Sequence, residues 1–240
     1  MVNEQQNIIA AFTEMAPRYE RLMNDELNKF WGIDYPAFVS QLLSDFQSTD
    51  KHLILDIATG TSYIPFYLLR NQFPFKKILG LDITYGMLAE GKRLITAENT
   101  AHRMPQVCAS ALEIPFAAGI YDTVICCLAT HHMDLKLLLE NIFHVLKPGG
   151  LILMADAGGS TAWKNFLVKG FVKFAAFFYF LFQENISRAK AEMGAIGNIH
   201  SINEWERMMR LSGFSNVEIT RMRSKKFWAP DPLIIRALKP

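Results

Sequence analysis

Apolar positions recur along this chain at two spacings, and the switch between them outlines its elements. Between residues 4 and 31 the spacing is helical: Ile8, Ile9, Phe12 and Met15 share one face, and after Pro17 the set Tyr19, Leu22, Met23, Leu27 and Phe30 repeats it. Tyr35-Pro36 interrupts the pattern, and Phe38, Leu42, Leu43 and Phe46 predict another short helix. From residue 52 onward short apolar runs alternate with helical stretches. Runs at 52–57, 77–82, Gln106–Ala109, Asp122–Cys127 and Leu151–Ala155 predict five strands. Helices are predicted over about 62–72, from Thr84 to about 97, and after Asp134 through Leu138, Leu139, Ile142, Val145 and Leu146, the last stopping before Pro148-Gly-Gly150. Thr84 and Asp134 stand where N-caps are expected. Short, wholly apolar strands separated by helices imply a parallel sheet covered on both faces.

Ser201-Ile-Asn-Glu204 has the spacing of a capping box and opens a helix that should stop at Gly213. Two last strands, about 216–223 and 232–238, leave no room for a crossover helix between them, so they predict an antiparallel pair. The expected fold is therefore α/β: a Rossmann-like, seven-stranded, mostly parallel sheet whose last two strands form an antiparallel pair. It divides into an N-terminal helical cap (1–50), a core (51–157), an apolar helical insertion after strand five (158–200), and a C-terminal helix with the strand pair (201–240).

Within this frame one segment carries chemistry. Leu53–Ser62 is an apolar strand ending at Asp56, followed by a small-residue turn around Gly60; the next strand stops at another carboxylate, Asp82. Strand, small turn, helix, strand and acid within about thirty residues describe a nucleotide-binding half of a doubly wound sheet, where backbone approaches the ligand at the turn and the acid takes both ribose hydroxyls.

Composition narrows the class. Half of the 240 residues are apolar and 20% charged, which excludes extended disorder. The three cysteines, Cys108, Cys126 and Cys127, lack metal-ligand spacing and are expected as buried, reduced thiols of a cytoplasmic protein; no metal is expected. The N-terminal residues lack the basic and apolar regions of a signal peptide. Net charge is +2, unevenly spread: residues 1–157 carry 12 Lys/Arg against 17 Asp/Glu (−5), and residues 158–240 carry 13 against 6 (+7). The C-terminal third either faces something anionic or is simply solvated.

Taken together these segments resemble the class I S-adenosylmethionine-dependent methyltransferases. Leu53–Ser62 is similar to that family's glycine-rich motif, Leu81–Leu88 to its second strand with the ribose-binding acid, and Ser110–Phe116 with Tyr121–Val124 to its adenine-side loop and fourth strand. Leu146–Leu151 is similar to the turn into strand five, and Gly213-Phe214 with Val217-Glu218 to the approach to strand six. The head of the chain, Ala16–Asn24 with Trp31, resembles the ubiquinone/menaquinone C-methyltransferase subgroup. The resemblance implies S-adenosyl-L-methionine as cofactor. It implies that Asp56 and the backbone of Ala58, Thr59, Gly60, Thr61 and Ser62 hold its methionine end, and that Asp82 receives the ribose. Ile83 and Met87 would pack on the adenine, Ser110 and Ala111 flank its edge, Leu128 close the floor and Tyr19 cap the site. Two departures stand out. Ala58 and Ser62 replace glycines, so the turn must avoid positive φ there or bear strain. Ser110 stands where many relatives place an acid, which implies a weaker adenine contact.

Methyl transfer from a sulfonium needs alignment and a dry site, and a base only where the acceptor must lose a proton. His131, His132 and Asp156 follow strands four and five at the ligand-binding edge and are the candidate catalytic residues, with ordinary packing as the competing reading for the histidine pair. The insertion holds seven of the eighteen phenylalanines, and its uninterrupted apolar part, Phe174–Phe182, is too short to cross a membrane. Three readings stay open: a lid over a lipophilic substrate, an interfacial helix flanked by Lys164, Lys169 and Lys173, or a core or homodimer contact. The basic cluster Arg221, Arg223, Lys225 and Lys226 is either a solvated strand edge or a lipid or phosphate contact. The expected activity is methylation of a small lipophilic acceptor, a quinone-type ring carbon among the candidates. Its rivals are O- or N-methylation of another small molecule or phospholipid headgroup, a nicotinamide oxidoreductase, and a non-catalytic cofactor-binding relative. Nucleic-acid modification is disfavoured, because no separate basic module accompanies the core.

Overall fold

The computed structural model describes residues 2–159, 166–226 and 228–240. Five of its strands are the short apolar runs: β1 (Leu53–Ile57), β2 (Lys77–Asp82), β3 (Gln106–Cys108), β4 (Tyr121–Cys127) and β5 (Leu146–Gly158). With β6 (Ser215–Arg221) and β7 (Asp231–Leu238) they form one sheet in the order β3-β2-β1-β4-β5-β7-β6. Strands β1 to β5 pair in parallel, and β7 is antiparallel to both β5 and β6. Only β7 is therefore reversed: β6, on the far edge, runs the same way as the first five.

The order changes direction between β1 and β4, and this places a crevice at their carboxyl ends. Helices α4 (Tyr63–Arg70), α5 (Tyr85–Ala97) and α6 (Leu135–Val145) make the crossovers. The strands are apolar on both faces because both faces are covered. Ile54, Ile78, Ile125 and Leu153 pack toward one side with Phe38 and Leu68; Leu55, Ile57, Val124 and Ile152 pack toward the other with Leu138, Ile142 and Trp205. The first cluster draws in the cap helices α1 (Val2–Met15), α2 (Tyr19–Phe30) and α3 (Tyr35–Leu42), and the second draws in α9 (Ile202–Leu211).

Local signals hold in most places. Asp134 Oδ1 accepts from the Leu137 N–H at 3.0 Å and caps α6. Ser201 and Glu204 make the reciprocal capping box of α9. Three expectations need correction. Thr84 precedes α5 but makes no side-chain cap; its own N–H donates to Asp82 Oδ1 at 2.8 Å instead. The segment Pro148-Gly-Gly150 is not a turn outside the strand, since β5 begins at Leu146, paired with Tyr121. The irregular register that follows absorbs Gly149, at φ +75°. Finally, Cys108 is exposed at the end of the edge strand β3, whereas Cys126 and Cys127 are buried.

Asp122 ties the start of this layout together. Its carboxylate accepts from the Leu53 N–H at 2.8 Å and pairs with Lys147 Nζ at 2.7 Å, so one side chain joins the beginnings of β1, β4 and β5. Partial burial pushes its pKa up, but the Leu53 N–H and Lys147 outweigh that and carry it below the usual carboxylate value. The stabilisation is thus complete above the unfolded-state value near 4 and is lost as pH falls through the lower folded-state value. Allowing for its partial exposure, Asp122→Ala is expected to cost about 1–2 kcal/mol in urea unfolding at pH 7, with the difference from wild type shrinking toward pH 2. An equal loss at both pH values would assign the effect to packing.

Candidate active site

The turn from β1 into α4 holds three left-handed residues: Ala58 at φ +54°, Gly60 at +54° and Ser62 at +67°. Only glycine adopts this region freely; each L-residue there costs about 1–2 kcal/mol. The strain anticipated for Ala58 and Ser62 is therefore borne, and hydrogen bonds fix the turn from several directions. Thr59 donates its Oγ1–H to Asp56 Oδ2 at 2.6 Å and its N–H to the Leu81 carbonyl at 3.0 Å. The Gly60 N–H reaches Asp82 Oδ2 at 2.9 Å, and Gln106 Nε2 donates to Ser62 Oγ at 2.8 Å. Leu128, after β4, is also left-handed (φ +57°), with its N–H on the Ala155 carbonyl at 2.7 Å. The other non-glycine residues at positive φ are Gln72, Asn99 and Asn216, polar residues outside this edge. Strain of this kind gathered at one sheet edge is a mark of a functional site.

Sheet topology brings the remaining expected cofactor residues to the same edge. Asp82 closes β2, and its two oxygens take the Gly60 and Thr84 N–H groups. Ile83 follows it, and Met87 is buried with its Cε so close to Gly60 that a β-carbon there would lie 3.2 Å away. The Tyr19 ring comes from the cap to the same glycine, 3.8 Å from that position. Ser110 and the buried Ala111 follow β3, where the Ala109 N–H bonds the Asp82 carbonyl at 3.0 Å. Ser110 Oγ itself accepts from the Leu112 N–H at 3.2 Å. Thr61 is the outlier of the turn: its hydroxyl faces the cap and donates to Glu20 at 3.1 Å.

Electrostatics tests whether a cationic nucleoside suits this edge. Burial pushes the Asp56 carboxyl up to about 7, against the hydrogen bond from Thr59, and Asp82 adds to the rise. Burial also raises Asp82, against its backbone N–H contacts. Neither acid has an ion-pair partner among the described residues. Two buried, mutually repelling carboxyls beside a tightly packed glycine fit a ligand bringing positive charge and hydroxyl donors. Held there, S-adenosylmethionine would place its ribose on Asp82 and its cationic methionine end near Asp56.

The candidate catalytic residues lie together but differ in their partners. His131 Nδ1 lies 2.5 Å from Asp156 Oδ1, and its N–H donates to Asp156 Oδ2 at 3.2 Å. The Thr130 hydroxyl makes a very short bond to the same oxygen, and the Ala157 N–H reaches Oδ1 at 2.7 Å. Burial pulls the His131 pKa down, but the Asp156 carboxylate outweighs it and the net shift is upward. The His132 ring lies beside that of His131, centroids 4.3 Å apart, but is held differently. Its ring nitrogens make no hydrogen bond, Nε2 is 3.7 Å from Glu192 Oε1, and burial, then His131 and Arg188, hold it well below the usual value.

Sequence reading missed the group behind His132. Arg188, on α8 (Ile186–Ala195), is 3% exposed; it pairs with Glu26 of the cap at 3.2 Å and with Glu192 at 3.1 Å. Its guanidinium also lies 5.5 Å from the Phe12 ring and 5.1 Å from Phe180. Arg188 and Glu192 stand four apart on one helix, but spacing could not signal Glu26, which comes from the cap, 162 residues from Arg188. Thr130 had a signal, its place directly before the histidine pair.

Comparison with known proteins agrees with the geometry. Residues 55–154 match the family described as a methyltransferase domain. The chain is 28% identical over 166 residues to a demethylmenaquinone methyltransferase of Porphyromonas gingivalis, aligning 68% of this chain with 65% of that one. It is 26% identical to a ubiquinone/menaquinone biosynthesis C-methyltransferase of Geotalea daltonii, over 76% and 72% of the two chains. Among solved structures, geranyl diphosphate C-methyltransferase from Streptomyces coelicolor superposes with a TM-score of 0.69 at 15% identity, covering 92% of this chain and 84% of that one. Phosphoethanolamine N-methyltransferase 2 of Haemonchus contortus gives 0.63 at 16%, over 86% and 53%. The aligned segment thus spans just under two thirds of the Porphyromonas enzyme.

Losing a hydrogen bond to a charged partner costs roughly 1.5–3 kcal/mol. Asp82→Ala is accordingly expected to weaken S-adenosylhomocysteine binding by about ten- to a hundredfold in calorimetry, with the circular dichroism spectrum unchanged. Equal affinity in both proteins would remove Asp82 from the site.

Proposed function

We propose that the chain is a class I S-adenosylmethionine-dependent methyltransferase and that it moves a methyl group from S-adenosylmethionine to a small lipophilic acceptor, a quinone-type ring carbon. The cofactor supplies an electrophilic methyl on a sulfonium; the chain has to bind it, align the acceptor and keep water out. One observation carries the acceptor class. The side of the site beyond the cofactor edge presents an imidazole fixed by a buried carboxylate, and beside it His132 and Arg188 bordered by aromatic and thioether side chains. Phe12 stands edge-on to His132 at 5.4 Å, and Met15, Tyr19 and Phe180 gather around Arg188. Such walls suit a lipophilic ring, and peripheral contact with the bilayer that would hold it belongs to the same reading.

Carbon methylation of a hydroxylated ring requires the ring to lose a proton. His131 is the group we assign to that step. Asp156 takes Nδ1, which leaves Nε2 as the nitrogen that can accept a proton. Asp156 is a positioning residue, itself held by Thr130 and the Ala157 N–H. His132, held neutral by burial and by His131 and Arg188 beside it, is assigned to packing against the acceptor side. The similarity to the quinone C-methyltransferases also supports this reading.

The base form of His131 becomes populated as pH rises through a value above 6.5. We expect kcat/KM for a hydroxylated quinone-type acceptor to climb with pH through that value. His131→Ala should lower kcat by about 10²-fold or more with little change in cofactor affinity. Asp156→Asn should lower kcat and move the profile to lower pH, because the carboxylate that raises the imidazole pKa is gone; a merely structural role would leave the profile in place. Full turnover in His131→Ala would sink the base assignment and favour an O- or N-acceptor that is already nucleophilic at neutral pH.

A further inference from the structure

Helix α7 (Phe166–Gln183) packs on α8, yet its other face is covered by nothing among the described residues. Phe171 is 72% exposed, Phe174 63%, Phe178 37% and Phe182 79%. At about 100° per residue these positions fall within an arc of about 80°, and along the axis they span about 16 Å. The rings touch in series, Phe174 to Phe178 at 4.6 Å and Phe178 to Phe182 at 6.2 Å. A core helix would hide this face. Scattered exposed apolar residues need no explanation, but a contiguous aromatic stripe does.

The surroundings of the stripe are basic. Lys29 Nζ donates to Tyr179 Oη at 2.7 Å on the flank of α7. From there Phe30 links Tyr179 (5.6 Å) to Trp228 (5.7 Å), itself 51% exposed. Trp228 closes the loop that carries the exposed Arg223, Lys225 and Lys226. Arg221 is spent locally, on Asp231. The stretch Phe166–Gln183 contains no acidic residue. Lys164 and the side chains of Phe166 and Lys169 lie outside the described residues.

We propose that the Phe171–Phe182 face of α7, together with Trp228 and the basic loop beside it, docks on an anionic lipid bilayer and turns the acceptor side of the site toward the membrane. No helix among the described residues is long and apolar enough to cross a membrane, so the contact is interfacial: aromatic rings enter the headgroup boundary and flanking cations meet lipid phosphates. Charge selects this occupant over a second copy of the chain, because a second copy brings its own lysines and arginines to the same face. One helical layer separates the face from the site, since Arg188 of α8 lies between Phe180 of α7 and Phe12, the ring against His132. The proposal rests on the lipophilic acceptor only for its purpose; the docking itself needs neither cofactor nor acceptor.

The test is co-sedimentation of the full chain, without ligands, with vesicles of phosphatidylcholine alone or with phosphatidylglycerol. Wild type should sediment with the anionic vesicles. The triple variant Phe171→Ser, Phe174→Ser, Phe182→Ser should bind at least tenfold less at unchanged melting temperature and S-adenosylhomocysteine affinity. Lys225→Glu with Lys226→Glu should weaken binding to anionic vesicles several-fold and leave the weaker binding to neutral ones unchanged. Wild type remaining in the supernatant overturns the proposal, as does a triple variant that sediments like wild type. A solution dimer dissolved by the same substitutions, without vesicle binding, would assign the face to a second copy. A large fall in melting temperature would assign it to the core. Loss of methyl transfer with vesicle binding intact would count against the proposed function alone.

Discussion

The pairing of the Gly60 N–H with the Asp82 carboxylate is the interaction on which the rest of the site depends. It joins the turn after β1 to the end of β2. Ala58 and Ser62 stay in a costly backbone region because this bond, the Thr59 clasp on Asp56 and the Gln106 contact to Ser62 leave the turn no relaxed alternative. The sheet supplies the stiffness: β1 is paired on both sides, so the turn cannot move without breaking ladders to β2 and β4. Two buried acids with raised pKa values are the electrostatic face of the same constraint. They are expensive without a cation and favourable with one, which fits a site built around a sulfonium cofactor.

A second region, beyond the cofactor edge, obeys different rules. His131, Asp156 and Thr130 are fixed by short polar contacts, whereas His132, Arg188, Glu26 and Glu192 form a buried charge group joining cap, core and insertion. Burial pushes the Glu26 carboxyl up to about 7, against the attraction of Arg188, so this junction is costly to keep charged and holds the cap and α8 in one arrangement. Around it lie aromatic rings. The resulting asymmetry, a strained turn with two raised acids at the cofactor edge and an oriented imidazole beside a ring-bordered charge group beyond it, fits the proposed methyl transfer to a lipophilic ring.

Sequence was most informative where local chemistry decides structure. Five apolar runs became β1 to β5, the Asp134 cap and the Ser201–Glu204 box formed, and the short link between the last strands produced the antiparallel pairing. It was less informative where a distant partner intervened. Thr84 lost its capping role because Asp82 captured its N–H, and Pro148-Gly-Gly150 joined β5 because Leu146 found Tyr121 across the ladder. The strain at Ala58 and Ser62 was legible as an either-or, and only coordinates could choose between the two. The division of labour between His131 and His132 was not legible at all. Adjacent residues of one type, within one 3₁₀ turn and with rings 4.3 Å apart, take different partners: Asp156 holds His131, and no hydrogen bond holds the His132 ring. The exposure of α7 was likewise beyond sequence, since Phe-rich periodicity reads the same for a helix packed inward and one facing outward.

The central claim is that this edge moves a methyl group onto a lipophilic carbon acceptor. Incubating the full chain with methyl-labelled S-adenosylmethionine and a lipid extract, then identifying the labelled product, tests it most directly. The account predicts label in a small, organic-extractable molecule, attached to ring carbon, with the yield lost when His131 is replaced by alanine. Label on a headgroup nitrogen or on oxygen, on protein or nucleic acid, or no transfer despite bound cofactor, would contradict it.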